Sequence, residues 1–286
     1  MAKYYENIEP LKESEFIKLK DLVYKNAGIF LKDSKIQMVN SRLYKRLLQL
    51  NMDSFEKYYN YLKNNDDGKE LIEMINCITT NKTDFFRENH HFEYLRDIIL
   101  PKLKEKCYLE GNLNIEVWCS ASSTGEEPYT IAIVLKEFFQ LNTGWKLKIL
   151  ASDIDTKVLG IAQQGIYNEQ QISPIPNEIL PKYFYKGEGE NDGLYKAKNN
   201  IKDIIEYKKI NLIDYSFPAD KKFDIIFCRN VFIYFDKETM EDIVERFYRY
   251  LKPGGHLFLG HSETLDINGR FKNKFKLVSH TVFIKI

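Results

Sequence analysis

The chain has 286 residues, 44% hydrophobic and 29% charged, a globular balance long enough for one large domain and a small one. Its net charge of +1 excludes a whole-protein field for nucleic acid, so any electrostatic recognition must be local. No apolar run approaches the length of a membrane span, and the start, MAKYYENIEPLKESEF, lacks the apolar core of a signal peptide, so a cytosolic protein is expected.

The first 80 residues show helical periodicity. Ser14 is placed as an N-cap, with Phe16, Leu19, Leu22 and Val23 following at helical spacing and Ala27-Gly28 closing the segment. A second helix is expected over Lys35–Leu50, with Met38, Leu43, Leu47 and Leu50 as its apolar positions. A third covers Phe55–Leu62 and ends at the polar Asn64–Gly68 turn, and a fourth covers Leu71–Ile78. Between Lys18 and Arg46 lie eight cations, Lys18, Lys20, Lys25, Lys32, Lys35, Arg42, Lys45 and Arg46, against only Asp21 and Asp33. Arg42, Lys45 and Arg46 share one helix face by their i, i+3, i+4 spacing. A solvated face is the ordinary meaning of such a cluster; the functional one is a grip on an acidic partner.

After about Asn112 strand-length apolar runs alternate with helices. Strands are expected at Ile115–Cys119, Leu147–Ala151, Phe223–Cys228, His256–Leu259 and, last, Val278–Lys285. Helices are expected at Pro128–Phe139, Thr156–Gln163 and Lys237–Leu251. This alternation predicts a mainly parallel, doubly wound sheet, with the last strand free to pair antiparallel at its edge. Residues 165–209, with Pro174, Pro176, Pro181 and the Gly187-Glu188-Gly189 turn, break the alternation and read as a small antiparallel insertion.

Open α/β sheets bind ligands at the carboxyl ends of their strands. The first strand is followed by Ser120-Ala121-Ser122-Ser123-Thr124-Gly125-Glu126-Glu127-Pro128, small residues with a single glycine. The dinucleotide glycine fingerprint is absent, and two acids stand where a pyrophosphate would want positive charge. They suit a ligand carrying a cationic amino group and a sulfonium, as S-adenosylmethionine does. The second strand ends in Ser152-Asp153-Ile154-Asp155, where an acid can hold ribose hydroxyls or simply cap the next helix. Cys77, Cys107, Cys119 and Cys228 form no C-x-x-C pair. His90 and His91, adjacent in sequence, are expected to point apart by about 100° on a helix. No metal site is expected.

Five motifs occur in order: Asn81-Lys82-Thr83-Asp84-Phe85-Phe86-Arg87-Glu88, Ser123-Thr124-Gly125-Glu126-Glu127-Pro128-Tyr129, Ala151-Ser152-Asp153-Ile154-Asp155, Phe227-Cys228-Arg229-Asn230-Val231-Phe232-Ile233-Tyr234-Phe235 and Gly260-His261-Ser262-Glu263. Together they resemble the chemotaxis receptor methyltransferase family, CheR, from about Gly28 to the C-terminus. The resemblance implies an α/β fold: an N-terminal helical substrate-recognition domain (1–80), a cofactor-contacting linker (81–92) and a class I S-adenosylmethionine methyltransferase domain (93–286) carrying the 165–209 β-subdomain. It implies a glutamate O-methyltransferase acting on the cytoplasmic domain of methyl-accepting chemotaxis receptors, yielding S-adenosylhomocysteine, without metal, nucleic acid or membrane insertion.

By the same resemblance Asn81, Thr83 and Arg87 reach the cofactor, Arg87 at the methionine carboxylate. Glu126 or Glu127 accepts from the amino group, with Glu126 favoured, and Asp153 or Asp155 holds the ribose. Asn211 and Leu212 border the adenine, and Arg229 and Asn230 close the site. Tyr234 orients the reacting groups or is a core aromatic. Arg42, Lys45 and Arg46 would read the receptor. In some members the β-subdomain docks a receptor C-terminal peptide. The competing readings are another methyltransferase on this fold and a signalling module that keeps the fold without activity.

Overall fold

The computed structural model describes residues 8–64, 68–139, 144–215, 217 and 221–286. They form two compact units. The first runs to Thr80 and takes in Tyr234–Met240; the second holds Asn81–Ile233 and Glu241–Ile286.

The first unit is helical. Helix α1 (Glu13–Ala27) buries Phe16, Leu19, Val23 and Ala27, one residue per turn. The cap lies before Ser14: Lys12 flanks the helix, and its N–H donates to the Glu15 carboxylate at 2.8 Å. Gly28, left-handed at φ 70°, ends the helix. Helix α2 (Ile36–Gln49) buries Val39, Leu43 and Leu47, while Met38 and Leu50 are only half-buried. The buried stripe thus follows an i, i+4, i+8 row through Val39. Helices α3 (Phe55–Asn64) and α4 (Lys69–Ile78) complete the unit. Most of the turn expected between them, residues 65–67, lies outside the described residues.

Two of the three cations assigned to a recognition face turn inward. Arg46 makes a two-point bond to Glu70, Nε to Oε1 at 2.9 Å and Nη2 to Oε2 at 2.5 Å, and the Tyr58 hydroxyl donates to the same carboxylate at 2.8 Å. Arg42 donates to the carbonyls of Ile78 and Thr79 and to Thr80 Oγ1, satisfying acceptors at the end of α4. Lys45 is exposed. The i, i+3, i+4 spacing was correctly periodic, but guanidinium groups on long stems can reach back to acceptors on a neighbouring helix.

The second unit is a seven-stranded sheet in the order β6-β2-β1-β7-β8-β10-β9. Its strands are β1 (Asn114–Cys119), β2 (Lys146–Asp153), β6 (Ile205–Lys209), β7 (Phe223–Cys228), β8 (Leu251–Leu259), β9 (Phe275–Ser279) and β10 (Val282–Lys285). The first five in spatial order are parallel; β10 and β9 are antiparallel. The single terminal strand expected at Val278–Lys285 is therefore a hairpin, turning at His280-Thr281 with Thr281 at φ 51°. The connecting helices are α5 (His90–Tyr94), α6 (Leu100–Glu110), α7 (Glu126–Phe139), α8 (Thr156–Gln164) and the later Lys237–Tyr250. A π turn at Leu95–Ile99 separates α5 from α6, just before Pro101, where a missing N–H would otherwise break the ladder.

A separate sheet, ordered β3-β5-β4, joins Ile166–Asn168 (β3), Phe184–Lys186 (β4) and Leu194–Ala197 (β5), all antiparallel. The expected insertion extended to residue 209, but Ile205–Lys209 pairs in parallel with β2 in the main sheet. The antiparallel element thus ends at Ala197.

Replacing Glu70 by Ala strands the Arg46 guanidinium, 18% exposed, and the buried Tyr58 hydroxyl. Loss of one partner of a buried ion pair costs about 3–5 kcal/mol. Denaturant unfolding followed in the helical unit should show that loss. A change below about 1 kcal/mol, ordinary for an exposed pair, would remove Glu70 as the unit's polar anchor.

Candidate functional site

Strands β1 and β7 are neighbours, and their chains leave toward opposite halves of the sheet, which makes their carboxyl ends the switch point where such folds bind ligands. Backbone ties fix the loops there. Ser120 donates from N and Oγ to the Phe227 carbonyl at 2.8 and 2.9 Å, and Ser122 N donates to Ser152 O at 2.8 Å. Gly125 adopts φ 103°, and a Cβ there would lie 2.7 Å from the Tyr167 hydroxyl and 2.8 Å from Ala162 Cβ, so no larger residue fits the turn.

The adjacent acids of this turn have different surroundings. Glu127 accepts from Arg229 Nη1 at 2.6 Å and from the Cys119 thiol at 3.1 Å. Glu126 is 2% exposed and accepts from Thr124 Oγ1 at 2.6 Å and Gln171 Nε2 at 3.3 Å, both neutral groups. Burial pushes its carboxyl above the ordinary range.

The acids after β2 divide in the same way. Asp155 caps α8 through the N–H groups of Lys157 and Val158, and its other oxygen accepts from Asn81 Nδ2 at 2.9 Å. Asp153, buried at the strand end, accepts from the N–H groups of Ser123 at 2.9 Å and Asp155 at 3.0 Å. Burial outweighs those bonds and raises its pKa to about 6. The Ile210 N–H donates to the Asp153 carbonyl at 3.1 Å, which brings Asn211 and the buried Leu212 to this strand end.

Arg229, its side chain 1% exposed, lies between Glu88 at 3.1 Å and Glu127 at 2.6 Å, and also donates to the Arg87 carbonyl. Asn230 stands at φ 59°, and its Nδ2 donates to Glu88 Oε1 at 3.1 Å. Arg87 is half-buried and donates to the Lys82 carbonyl at 2.9 Å; Thr83 is half-buried nearby in sequence. The Ser123 hydroxyl donates to the Asn81 carbonyl at 2.9 Å. Phe86, Glu88, Ser123 and Asn230 all adopt left-handed backbone without being glycine. Such strain persists only where the surroundings over-determine it, and it gathers here.

Two contributors were not assigned from the sequence. Glu88 and Glu263 each stand in a family motif without a role that the sequence assigns. Glu263 is 5% exposed and accepts from the N–H groups of Gly260 (2.6 Å), Phe232 (2.8 Å) and Asn230 (3.1 Å). Nothing in residue type or spacing signals a carboxylate bound by backbone donors three and some thirty residues away. Tyr234 and the cations Arg42, Lys45 and Arg46 belong to the helical unit; the Tyr234 hydroxyl donates to the Thr80 carbonyl at 3.2 Å.

The metal expectation needs correction in its premise. His90 and His91 do not diverge: their ring centroids are 4.3 Å apart, and a nitrogen of each lies within 4.8 Å of one from His280. The 100° rule describes side-chain directions inside a regular helix, whereas this helix only begins at His90, with Asn89 as its cap and Glu88 before that at φ 56°.

Residues 81–284 match the CheR methyltransferase SAM binding domain, and residues 14–79 match the CheR methyltransferase all-alpha domain. The chain belongs to the CheR methyltransferase family. A chemotaxis protein methyltransferase of Borreliella burgdorferi is 42% identical over 267 residues, covering 93% of each chain. That of Salmonella typhimurium is 40% identical over 273 residues, covering 96% of this chain and 90% of its own. That of Escherichia coli is 38% identical over 273 residues, covering 96% and 91%. The site of this CheR chain fits the cofactor for which the domain is named. Glu126 and Asp153 are buried acids whose bonded partners are all neutral groups, and the Ser122 hydroxyl is buried without a partner. Ammonium and hydroxyl donors would satisfy all three.

Asp153 should leave a mark on stability. The folded state holds its proton to about pH 6, whereas the unfolded chain releases it near 3.8. Between these values the folded state binds more protons, so this residue's contribution to stability falls as pH rises through that window and is level above it. Denaturant unfolding of the cofactor-free chain and of Asp153→Asn should show a steeper decline in the first than in the second, where other buried acids such as Glu126 still contribute. Parallel curves would refute the raised pKa.

Proposed function

We propose that this chain transfers the S-adenosylmethionine methyl group to glutamate side chains of chemotaxis receptor cytoplasmic domains, in the cytoplasm, as part of sensory adaptation. The observation that carries the reading is the pairing, along one chain, of the CheR all-alpha and SAM-binding domains, with relatives named chemotaxis protein methyltransferases over nearly its full length. Among the described residues no helix is long and apolar enough to cross a membrane, which accords with an enzyme that visits its receptors.

The residue roles follow from charge. Glu126, whose partners are neutral, is the acceptor for the methionine amino group; Glu127 is already matched by Arg229. Asp153 takes the ribose hydroxyls: its bonds come only from backbone N–H groups of the strand-end loops, whereas Asp155 is committed to the α8 cap and to the Asn81 side chain. Arg87 meets the methionine carboxylate, Asn81 and Thr83 line the linker side, and Asn211 and Leu212 border the adenine. Arg229 and Asn230 hold the strand-end loop in shape rather than offering their side chains to the cofactor, because Glu88 and Glu127 occupy them.

When bound, S-adenosylmethionine supplies an electrophilic methyl group on a sulfonium. A receptor glutamate is ionised at neutral pH and attacks that carbon in line: the O–C bond forms as the C–S bond breaks, its electron pair passing to sulfur to leave S-adenosylhomocysteine. Neither reactant needs a Lewis acid or a base, so no metal enters the transfer. The chain's task is alignment, which can supply roughly 7–11 kcal/mol. Tyr234 is the proposed orienting group. On the helical unit Lys45 is the recognition cation that remains exposed, with Arg42 and Arg46 serving its framework. A receptor C-terminal peptide would find exposed apolar side chains on the small sheet at Ile166, Tyr185 and Leu194.

Incubation with methyl-labelled S-adenosylmethionine and receptor-rich membranes should give base-labile methyl esters on receptor glutamates; base-stable label would refute the ester. Arg87→Ala should weaken S-adenosylhomocysteine binding about 10- to 150-fold, the loss of one charge-assisted contact, with little change in melting. An unaltered dissociation constant measured by calorimetry would remove Arg87 from the carboxylate. Lys45→Ala should slow receptor methylation and flatten its salt dependence while cofactor affinity stays constant. Screening shortens from about 10 Å at 0.1 M salt to about 3 Å at 1 M. Equal rates across that range would leave Lys45 a solvated residue.

A further inference from the structure

Every histidine of the chain except His256 gathers at one place in the second unit. The His90 ring lies 4.3 Å from that of His91 and 5.6 Å from that of His280, and His261 stacks on His280 at 4.9 Å. His90, His261 and His280 are exposed, and His91 lies beneath them, its side chain 1% exposed. One nitrogen each of His90, His91 and His280 falls within 4.8 Å of the others.

The hydrogen bonds of His91 decide which nitrogen carries its proton. Nε2 lies 3.1 Å from the His280 carbonyl, which can only accept, so Nε2 donates. It also lies 3.0 Å from Thr281 Oγ1, whose own proton goes to the Leu259 carbonyl at 3.0 Å, leaving that oxygen to accept. The neutral ring therefore has its lone pair on Nδ1. That atom is buried and has no hydrogen-bond partner; Glu88 Oε2, itself paired with Arg229 at 3.1 Å, lies 3.6 Å from it. An imidazole whose N–H is held by a backbone carbonyl, with the other nitrogen unpartnered, is the form in which histidine binds metals.

We propose that His90, His91 and His280 bind a divalent transition-metal ion of the zinc, nickel or copper class, with a fourth position left to water. Three imidazoles suit these ions, whereas calcium and magnesium require oxygen ligands. Zinc–nitrogen bonds of about 2.0–2.1 Å bring ligand nitrogens closer together than the gathered rings now stand. His90 at a helix start and His280 in a hairpin turn are exposed and can swing inward, while His91 is fixed. The ion is separate from methyl transfer: no cluster histidine is among the residues assigned to the cofactor.

The test uses the full chain with any polyhistidine tag removed. Zinc is titrated in competition with a chromophoric chelator, and cobalt is followed by its visible absorption. One ion per chain is expected, with cobalt bands of a four-coordinate nitrogen site and no thiolate charge-transfer band. His90→Ala and His280→Ala should each weaken zinc binding by more than the roughly 10–100-fold that loss of an outer partner costs. Both residues are exposed, so thermal melting of the metal-free variants should match the parent and exclude misfolding. Absence of stoichiometric binding would overturn the site, as would binding that survives both substitutions, or binding that disappears in Cys77→Ser while the histidine variants retain it.

Discussion

A guanidinium with no access to water governs the cofactor side of this molecule. Arg229 leaves β7 into a space bounded by Glu88, Glu127 and the Phe92 ring, whose centroid lies 5.3 Å away. Removing a charge from water costs several kcal/mol, and only good geometry with both neighbours recovers it. The consequence is positional. Glu88 belongs to the 81–92 linker, Glu127 to the first turn of α7, and Arg229 to the end of β7, so one buried cation ties together three pieces remote in sequence. Burial alone would raise the Glu88 pKa; Arg229 and Asn230 overcome it and pull the group down to about 2. Such an interaction contributes less to net stability than to holding one loop arrangement.

With Arg229 matched to Glu127, the neighbouring acid acquires its distinct character. Two glutamates in succession on a helix point about 100° apart, so they face different surroundings. One is neutralised, the other held among neutral donors. Asp153 and Asp155 repeat the arrangement after β2, where one acid becomes a helix cap and the other sits buried at the strand end. In both pairs composition could name the acids but not divide their duties, because the division comes from neighbours supplied by other strands.

That limit recurs elsewhere. The four helices and the central strands were legible because their buried faces repeat with a clear period. Ile205–Lys209 was not, since β6 forms the sheet edge and its residues are half-buried or exposed, so it reads as polar alternation like the inserted sheet before it. The terminal hairpin was hidden because Ser279-His280-Thr281 carries none of the glycine or asparagine that usually marks a tight turn. The basic helix face misled in the opposite direction: cations are expected to be solvated, yet Arg42 and Arg46 found acceptors within the bundle. The family motifs pointed to candidate residues by position, while what each of them touches waited on geometry.

Glu263 shows why some motif residues resist any reading by residue type. Its two oxygens take three backbone N–H groups, from Gly260 at the end of β8 and from Asn230 and Phe232 after β7. A Cβ at residue 260 would lie 2.6 Å from both the N and Nδ2 of Asn230, so Gly260 is required for the approach that makes this possible. Asn230 in turn holds φ 59° and reaches Glu88, which grips Arg229. Each element of this chain is costly alone: a left-handed asparagine, a buried carboxylate, a buried guanidinium. Joined, they meet most of one another's donors and acceptors, with Arg229 Nε left without a hydrogen-bond partner, and together they hold the loop after β7 in one arrangement.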